Sequence, residues 1–216
     1  MRTTREVART LWDGDGDQIV PNHSVRTARP LQLPERDLPL PPYALGARLA
    51  DAWARRPADD ELQMRVEAAL DGRSLDPVGP DGLVAPDRVP APGRVPPAYL
   101  RASEAQRRDL LAGVLDRAGE VTARGCLRLV ALPAEVATDL GDLVTGLGYQ
   151  CSATSDPDGT GTLVFCADED MFRVEDLRQA HKEARAHRDT DSRRVVVDVR
   201  RVRSVPVRCV EVDNAD

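Results

Sequence analysis

The acids with the clearest metal-binding spacing lie close to the N-terminus. Asp13, Asp15 and Asp17 alternate with glycines, as acids do at the start of the calcium loop D-x-D-x-D-G. Gln18 stands where that loop needs glycine for its sharp turn, and Ser24 stands where it needs a glutamate that binds the ion with both oxygens. The segment therefore predicts a turn and not a calcium site.

The thiols and imidazoles are too scattered to predict a zinc site. No two cysteines have the Cys-x-x-Cys spacing, and the histidines do not cluster with them. Free, buried thiols are therefore the prediction for the cysteines. The residues concerned are Cys126, Cys151, Cys166 and Cys209, with His23, His181 and His187.

The formal charge is −6, which argues against a nonspecific nucleic-acid binder, because such proteins usually carry a basic excess. The charge is uneven, however. Residues 171–210 contain eleven Arg and Lys against six Asp and Glu, whereas residues 1–170 have a net charge of −8. A contact with phosphates is therefore expected in the C-terminal third, and a solvated helix face is the alternative interpretation of the same charges.

Length and hydropathy predict a cytoplasmic globular protein. The chain has 216 residues, of which 41% are hydrophobic, so it can bury a sizeable core. No apolar run approaches the roughly 18 residues of a membrane span, and the N-terminus lacks the hydrophobic stretch of a secretory signal. We expect no membrane partner.

Hydrophobic periodicity and capping residues predict an α+β fold. Helices are expected over residues 1–12, 42–55, 60–70, 103–118, 133–147 and 170–187. A strand pair or one long strand is expected over residues 121–132, a hairpin over 151–167 and a strand-rich tail over 193–212. Helix, strands, helix, hairpin and helix after Ser103 form one α+β unit.

Three stretches of the chain together carry a resemblance to a known family. The first is LPLPPYALG at 38–46, followed by Leu-Ala-Asp at 49–51. The second is VPPAYLRASEAQR at 95–107, which leads into LAGVLDRAG at 111–119, and the third is SVPVRCVEVD at 204–213. In this order, with a gap near residues 55–94, they resemble the LAGLIDADG (DOD-type) homing-endonuclease domain of actinobacterial replicative-helicase inteins. The third stretch is similar to the strand that returns to the splicing domain in that family.

The resemblance implies a LAGLIDADG-like fold, in which two paired central helices carry antiparallel sheets. Gly46 and Gly113 would allow the helices to approach closely. In the family, an acid at the eighth motif position of each helix holds Mg²⁺ between the scissile phosphates, where the metal activates water. The sheets grip the duplex, and their polar side chains read the major groove.

The chain departs from the family at the metal-binding positions. The eighth position is Asp51 in the first motif but Ala118 in the second, so one metal carboxylate remains. Asp116 occupies the sixth position, which is usually structural, and is the weaker candidate for a substitute ligand. No cofactor is therefore expected, except Mg²⁺ if cleavage survives.

We accordingly divide the chain into four parts. Residues 1–42 are an N-terminal extension with a Pro-rich connector, 43–97 a reduced first LAGLIDADG half, 98–190 a second half and 191–216 a C-terminal strand segment. Since only the second half keeps its hairpins, we expect it to make any DNA contacts. The candidates are Arg124, Arg128, Lys182 and Arg185.

The splicing residues of an intein are missing. The chain opens with Met1 and has neither a Thr-x-x-His block nor a terminal His-Asn. Cys209 matches a block cysteine that certain helicase inteins use, and we interpret it as a relic of splicing that is half-buried in a strand.

The sequence therefore predicts a degenerate, stand-alone relative of an intein endonuclease that has lost cleavage and acts as a double-stranded DNA-binding or scaffolding protein. Two alternatives remain open at this point. One is an active or nicking endonuclease that uses Asp51 and Mg²⁺. The other is a protein-interaction module that binds no nucleic acid, which the acidic charge favours. A homodimer or another protein partner is compatible with each of these three hypotheses.

Overall fold

The computed structural model describes residues 2–14, 19–72, 94–186, 193–203 and 205–206. The chain divides into two compact units. The first unit combines residues 1–26 with 192–216, and the second unit spans residues 27–191. The two ends of the sequence therefore belong to one unit.

The first unit contains short elements. Helix α1 (Thr4–Arg9) is held by a capping box between Thr3 and Glu6. Strand β1 (Trp12–Asp13) pairs with β2 (Val20–Pro21), and β3 (Ser24–Arg26) pairs with β8 (Arg193–Val195), both antiparallel. The described part of this unit exposes large apolar side chains, among them Trp12, Val20, Val25 and Val195.

The second unit contains the long helices. The bounds are α2 Pro42–Ala50, α3 Asp60–Leu70, α4 Pro97–Leu100, α5 Glu104–Ala118, α6 Ala134–Gly146 and α7 Glu175–Arg185. Helix α5 begins with a capping box between Ser103 and Gln106. Helix α2 is shorter than predicted because the chain turns at Asp51, and α7 begins five residues later than predicted.

One four-stranded antiparallel sheet completes the second unit. Its strands are β4 (Glu120–Val121), β5 (Leu127–Pro133), β6 (Cys151–Ser155) and β7 (Thr160–Phe165), in the order β4-β5-β7-β6. Buried and more exposed residues alternate along β5 and β7, and Leu127, Leu129, Leu163 and Phe165 lie on the buried face, which packs against α5 and α6. The mixed α+β class predicted from the sequence is confirmed.

The Pro-rich connector before α2 is fastened to α5 by polar side chains. Gln106 accepts a hydrogen bond from Arg36 N at 3.0 Å and donates to Arg36 O at 2.6 Å. Arg107 is buried, and its guanidinium donates to the carbonyl oxygens of Ala102, Gly146 and Leu31. These hydrogen bonds pair the donors of the buried Arg107 guanidinium with carbonyl oxygens, and they pair the backbone groups of Arg36 with the Gln106 amide.

The prediction of free thiols is wrong for two cysteines. Cys126 and Cys166 form a disulfide, with Cα atoms 4.2 Å apart. Cys126 directly precedes Leu127, and Cys166 directly follows Phe165, the residue that pairs with Leu127. The cysteines therefore face each other across neighbouring strand ends. Cys151 is free, and Cys209 lies outside the described residues.

Among the described residues, none of the helices combines the length and the apolarity that crossing a bilayer requires.

Candidate functional site

Helices α2 and α5 lie directly against each other, and two glycines make this approach possible. A Cβ atom on Gly46 would lie 2.1 Å from the carbonyl oxygen of Leu110. A Cβ atom on Gly113 would lie 2.0 Å from the carbonyl oxygen of Tyr43. The structure therefore places both glycines at the crossing, where only a hydrogen atom fits.

Asp116 is buried beneath the helix pair and binds the start of α7. Its carboxylate accepts a hydrogen bond from Tyr43 Oη at 2.7 Å and from the backbone N–H groups of Arg173 (3.0 Å) and Val174 (3.3 Å). Asp116 thus holds the two residues that precede α7, and Glu61 of α3 accepts a hydrogen bond from Glu175 N, the first N–H group of α7, at 3.2 Å. Burial raises the pKa of this carboxyl above its usual range.

Asp51 lies at the C-terminal end of α2 and is paired with arginines. Its Oδ1 accepts from Arg117 Nε at 2.5 Å, and its Oδ2 lies 3.9 Å from Arg48 Nη1. The Asp51 side chain is 45% exposed, whereas the Arg117 side chain is only 11% exposed. Ala118 follows Arg117 at the end of α5 and packs against the core. The remaining acid of the motif pair therefore faces a guanidinium.

This arrangement does not fit Mg²⁺. The ion prefers several oxygen ligands in octahedral geometry, and Asp51 offers one carboxylate that Arg117 already neutralises. In the described parts of the chain, no three His, Cys, Asp or Glu side chains form a group that could hold a metal ion. Asp116 does not supplement the site, because its oxygens are occupied by the Tyr43 hydroxyl and the N-terminus of α7.

The four basic residues expected to contact DNA lie in two kinds of environment. Arg128 Nη2 is 2.6 Å from Glu120 Oε2, and Arg185 Nη2 is 2.5 Å from Asp170 Oδ1. Arg124 lies in the turn between β4 and β5, Lys182 lies on α7, and both are exposed. Two of the four charges are thus neutralised by neighbouring acids.

The side of the sheet away from the core presents small polar groups. The strand register puts Arg128, Val164 and Ser152 side by side, with Thr162 opposite Thr154 in the next rows. We call these five residues the outer sheet face. Hydroxyl, methyl and guanidinium groups of this kind can contact base edges or phosphates.

Acids lie at the hairpin turn between β6 and β7. Asp156 and Asp158 flank Pro157, and Asp158 accepts hydrogen bonds from Thr160 N at 3.0 Å and Thr160 Oγ1 at 2.7 Å. These bonds hold the pKa of Asp158 below its usual range. The turn therefore carries negative charge that would repel a phosphate backbone.

Helical spacing in the sequence could have predicted that Arg117 lies near Asp51. Arg117 is four residues after Gly113 and therefore shares its helix face. Since Gly113 contacts α2, Arg117 must lie over the end of α2, where Asp51 is found. The acids that pair with Arg128 and Arg185 had no such signal, because strand register and the path of a loop set those contacts.

The sequence of this chain is similar to part of a replicative helicase. It is 40% identical, over 229 aligned positions, to a replicative DNA helicase DnaB from Mycobacterium intracellulare. The match covers 99% of this chain. The chain spans only 39% of the length of that relative. No protein-family model matches the chain. A replicative helicase is the kind of protein in which the inteins that this chain resembles are found, so the match is compatible with that resemblance. The match does not test the resemblance to LAGLIDADG helices.

Proposed function

We propose that this chain is the endonuclease-like part of a helicase intein, that it does not cleave DNA, and that it binds duplex DNA weakly. The observation that carries this proposal is the ion pair between Asp51 and Arg117 beside Ala118. The close glycine crossing of α2 and α5 supports the likeness to a LAGLIDADG pair. The helicase relative supports the origin of the chain in a replicative helicase.

Loss of cleavage follows from the charge of the site. Cleavage by a metal ion needs carboxylates that hold the ion against the scissile phosphate. Here a guanidinium is bound to the one remaining carboxylate, and a metal ion would have to displace it. Asp116 stays with α7 because moving it would leave two buried N–H groups unpaired.

Weak duplex binding is supported by the outer sheet face and opposed by the charges around it. Ser152, Thr154 and Arg128 are exposed and share one face. Glu120 neutralises Arg128, and the acids of the hairpin turn lie at the end of the same sheet. We expect dissociation constants of about 10⁻⁶ M or weaker at physiological salt, as for nonspecific binding.

A scaffold that binds no nucleic acid is the second candidate. It is favoured by the acidic balance of residues 27–191, which contain 20 Arg and Lys against 28 Asp and Glu, a net charge of −8. A scaffold of this kind needs only the folded chain, because the contacts that hold α2 against α5 lie within the protein.

Two assays on the full chain separate these functions. In the first, supercoiled plasmid is incubated with the protein in Mg²⁺ or Mn²⁺, and we expect no product. Linear or nicked product that disappears in Asp51→Ala would establish the active endonuclease. In the second, labelled duplex is titrated at two salt concentrations with the parent and with a variant that replaces four residues by alanine. These residues are Arg124, Arg128, Lys182 and Arg185.

The binding assay has a defined result for each function. Phosphate contacts release counterions, so each lost contact should lower the log–log salt slope by about 0.9. Reduced binding and a smaller slope in the four-fold variant support DNA contacts through the second half of the chain. Equal binding by both proteins places the contacts elsewhere, and no binding by the parent at low salt favours the scaffold.

A further inference from the structure

The disulfide between Cys126 and Cys166 joins the two central strands of the sheet at the end where the chain enters β5 and leaves β7. Cys166 is exposed, and Cys126 is half-buried. Exposed disulfides are more open to attack by thiols than buried ones. A small thiol can therefore reach Cys166 while the sheet stays folded.

Each cysteine belongs to a segment that contacts the last turn of α7. Cys126 ends the turn between β4 and β5, in which Gly125 has a φ of +67° and a Cβ would lie 2.6 Å from the Cα and N atoms of Arg185. Cys166 begins the loop that leads into α7, and Asp170 Oδ1 in this loop lies 2.5 Å from Arg185 Nη2. The disulfide, the ion pair and the backbone contact form a closed ring. We call the five residues of this ring the α7 clasp.

The last turn of α7 depends on the clasp for its position. His181, one turn before Arg185, is the residue of α7 that is fully buried, and it packs edge-on against Phe172. The Arg185 Nη1 atom is also buried, and the described residues provide no hydrogen-bond acceptor for it. A buried donor without an acceptor costs free energy, so other contacts must hold Arg185 in place.

Of the three links in the clasp, the disulfide is the strongest. The Asp170 side chain is 49% exposed, and ion pairs with an exposed partner contribute little to stability. The contact between Gly125 and Arg185 is van der Waals packing, which is lost as soon as the turn moves away from the helix. The covalent bond therefore determines whether the turn and the loop stay together.

We propose that the Cys126–Cys166 disulfide is a reversible redox site and that its reduction releases the last turn of α7 from the sheet. The thiolate of a small thiol attacks Cys166 Sγ, the S–S bond breaks, and Cys126 leaves as a thiolate that takes up the proton of the small thiol. A second small thiol attacks the mixed disulfide, and Cys166 leaves as a thiol while the two small molecules become a disulfide. Two electrons thus pass from the small thiols to the protein, and a small disulfide reverses the reaction.

Cys151 provides a matched control for this chemistry. It is a free, half-buried cysteine on β6, opposite Phe165, and burial raises the pKa of its thiol. A thiol with a raised pKa is less often ionised and therefore attacks a disulfide more slowly. Cys151→Ser should be reduced and reoxidised in the same way as the parent.

The first experiment measures access to the disulfide. The full chain is treated with reduced glutathione in the absence of denaturant, and free thiols are then labelled with N-ethylmaleimide and mapped by mass spectrometry. We expect a glutathione adduct on Cys166 and maleimide on Cys126. Removing the thiol and adding oxidised glutathione should restore the disulfide. A reaction that requires urea, or an adduct on Cys126 in place of Cys166, would overturn the proposed redox site.

The second experiment measures the release of α7 by hydrogen exchange, with and without dithiothreitol. At labelling times too short for global unfolding, the amides of residues 122–126 and 182–186 should exchange about tenfold faster in the reduced protein. Helix α3 (Asp60–Leu70) is outside the loop that the disulfide closes and should exchange at an unchanged rate. Unchanged exchange at the end of α7, or an equal increase in α3, would overturn the release.

Variants of the clasp test its links separately. Cys126→Ser with Cys166→Ser should show the faster exchange with and without dithiothreitol, and the reduced parent gives the same measurement without any substitution. Asp170→Asn should affect the last turn of α7 little in the oxidised protein and more in the reduced protein, where the ion pair is a larger share of what holds Arg185. A response to dithiothreitol that persists in the double serine variant would show that the disulfide is not the switch. Duplex DNA is absent from these experiments, so their outcome is independent of the proposed DNA binding.

Discussion

Asp51 and Asp116, the two acids that the LAGLIDADG resemblance offers as metal ligands, bind protein groups in this structure. Asp51 stands at the end of its helix and binds Arg117, whereas Asp116 is withdrawn beneath α7. Two carboxylates that lie 65 positions apart thus have separate structural partners. Their roles are set by environment, because one is exposed and paired and the other is buried and hydrogen-bonded.

The environment of Asp116 predicts a pH dependence of stability. Burial is the largest influence on its pKa and raises it above the ordinary value of 3.8. Between the ordinary and the raised pKa, the folded protein binds more protons than the unfolded chain, so this group's contribution to the free energy of unfolding falls as pH rises. The contribution is complete below pH 3.8 and is lost as pH passes the folded pKa.

Urea denaturation of the parent and of Asp116→Asn checks this between about pH 3.5 and about pH 7, which runs from just below the ordinary pKa of 3.8 to roughly three units above it. We expect the variant to be less stable by about 1–3 kcal/mol, because an amide has one acceptor oxygen and leaves the N–H group of Arg173 or Val174 unpaired. The difference in free energy of unfolding between the parent and Asp116→Asn should become smaller as pH rises. Asp142→Asn, on an exposed part of α6, is the control. A gap that widens with pH would contradict the raised pKa.

At the scale of elements, the helix pair depends on backbone contact. Gly46 and Gly113 each lie against a carbonyl oxygen of the other helix, which no side chain can move aside. A carbonyl cannot shift without displacing its own helix, so a larger residue must separate α2 from α5.

Replacing Gly46 by alanine should therefore lower the free energy of unfolding by at least about 1–3 kcal/mol, even though alanine is the better helix former. The control is Gly141→Ala in α6, where the nearest heavy atom to a new Cβ is a leucine methyl at 4.0 Å. That variant should be as stable as the parent or more stable by up to about 1 kcal/mol. Thermal melting measures both, and equal melting temperatures for the two variants would mean that the helices do not cross at Gly46.

The elements also show what the sequence could and could not predict. The bounds of α3 and the caps of α1 and α5 follow from local signals, namely Asp59, Thr3 and Ser103 with their hydrogen bonds to the first turn. The disulfide was missed, because only the register of β5 and β7 brings Cys126 opposite Cys166. Local pattern predicts a helix and its ends, whereas contacts between strands depend on how the whole sheet is paired.

The candidate site divides in the same way. Asp51, Ala118 and the two glycines were found from motif positions, which depend only on spacing along a helix. Arg117 is not predicted in this way, since the motif positions do not specify which side chain pairs with Asp51. Glu120 meets Arg128 through the register of β4 and β5, and Asp170 meets Arg185 from the loop before α7, so only the fold shows these two ion pairs.

In the molecule as a whole, the base of the α2–α5 pair holds the Arg117 guanidinium against Asp51, at the position where the resemblance to LAGLIDADG nucleases would put a metal ion. The two units carry opposite balances of charge, with ten Arg and Lys against eight Asp and Glu in the first unit and the acidic excess in the second. Any contact with DNA therefore depends on local charge and not on the total.

The most direct measurement is a calorimetric titration of the full chain with Mn²⁺, repeated with Asp51→Asn. We predict no saturable site that depends on Asp51, because Arg117 is bound to its carboxylate and Ala118 offers no second ligand. Any weak heat should be the same for both proteins. Stoichiometric Mn²⁺ binding by the parent that is lost in Asp51→Asn would contradict the proposed loss of the metal site and would support a metal-dependent nuclease.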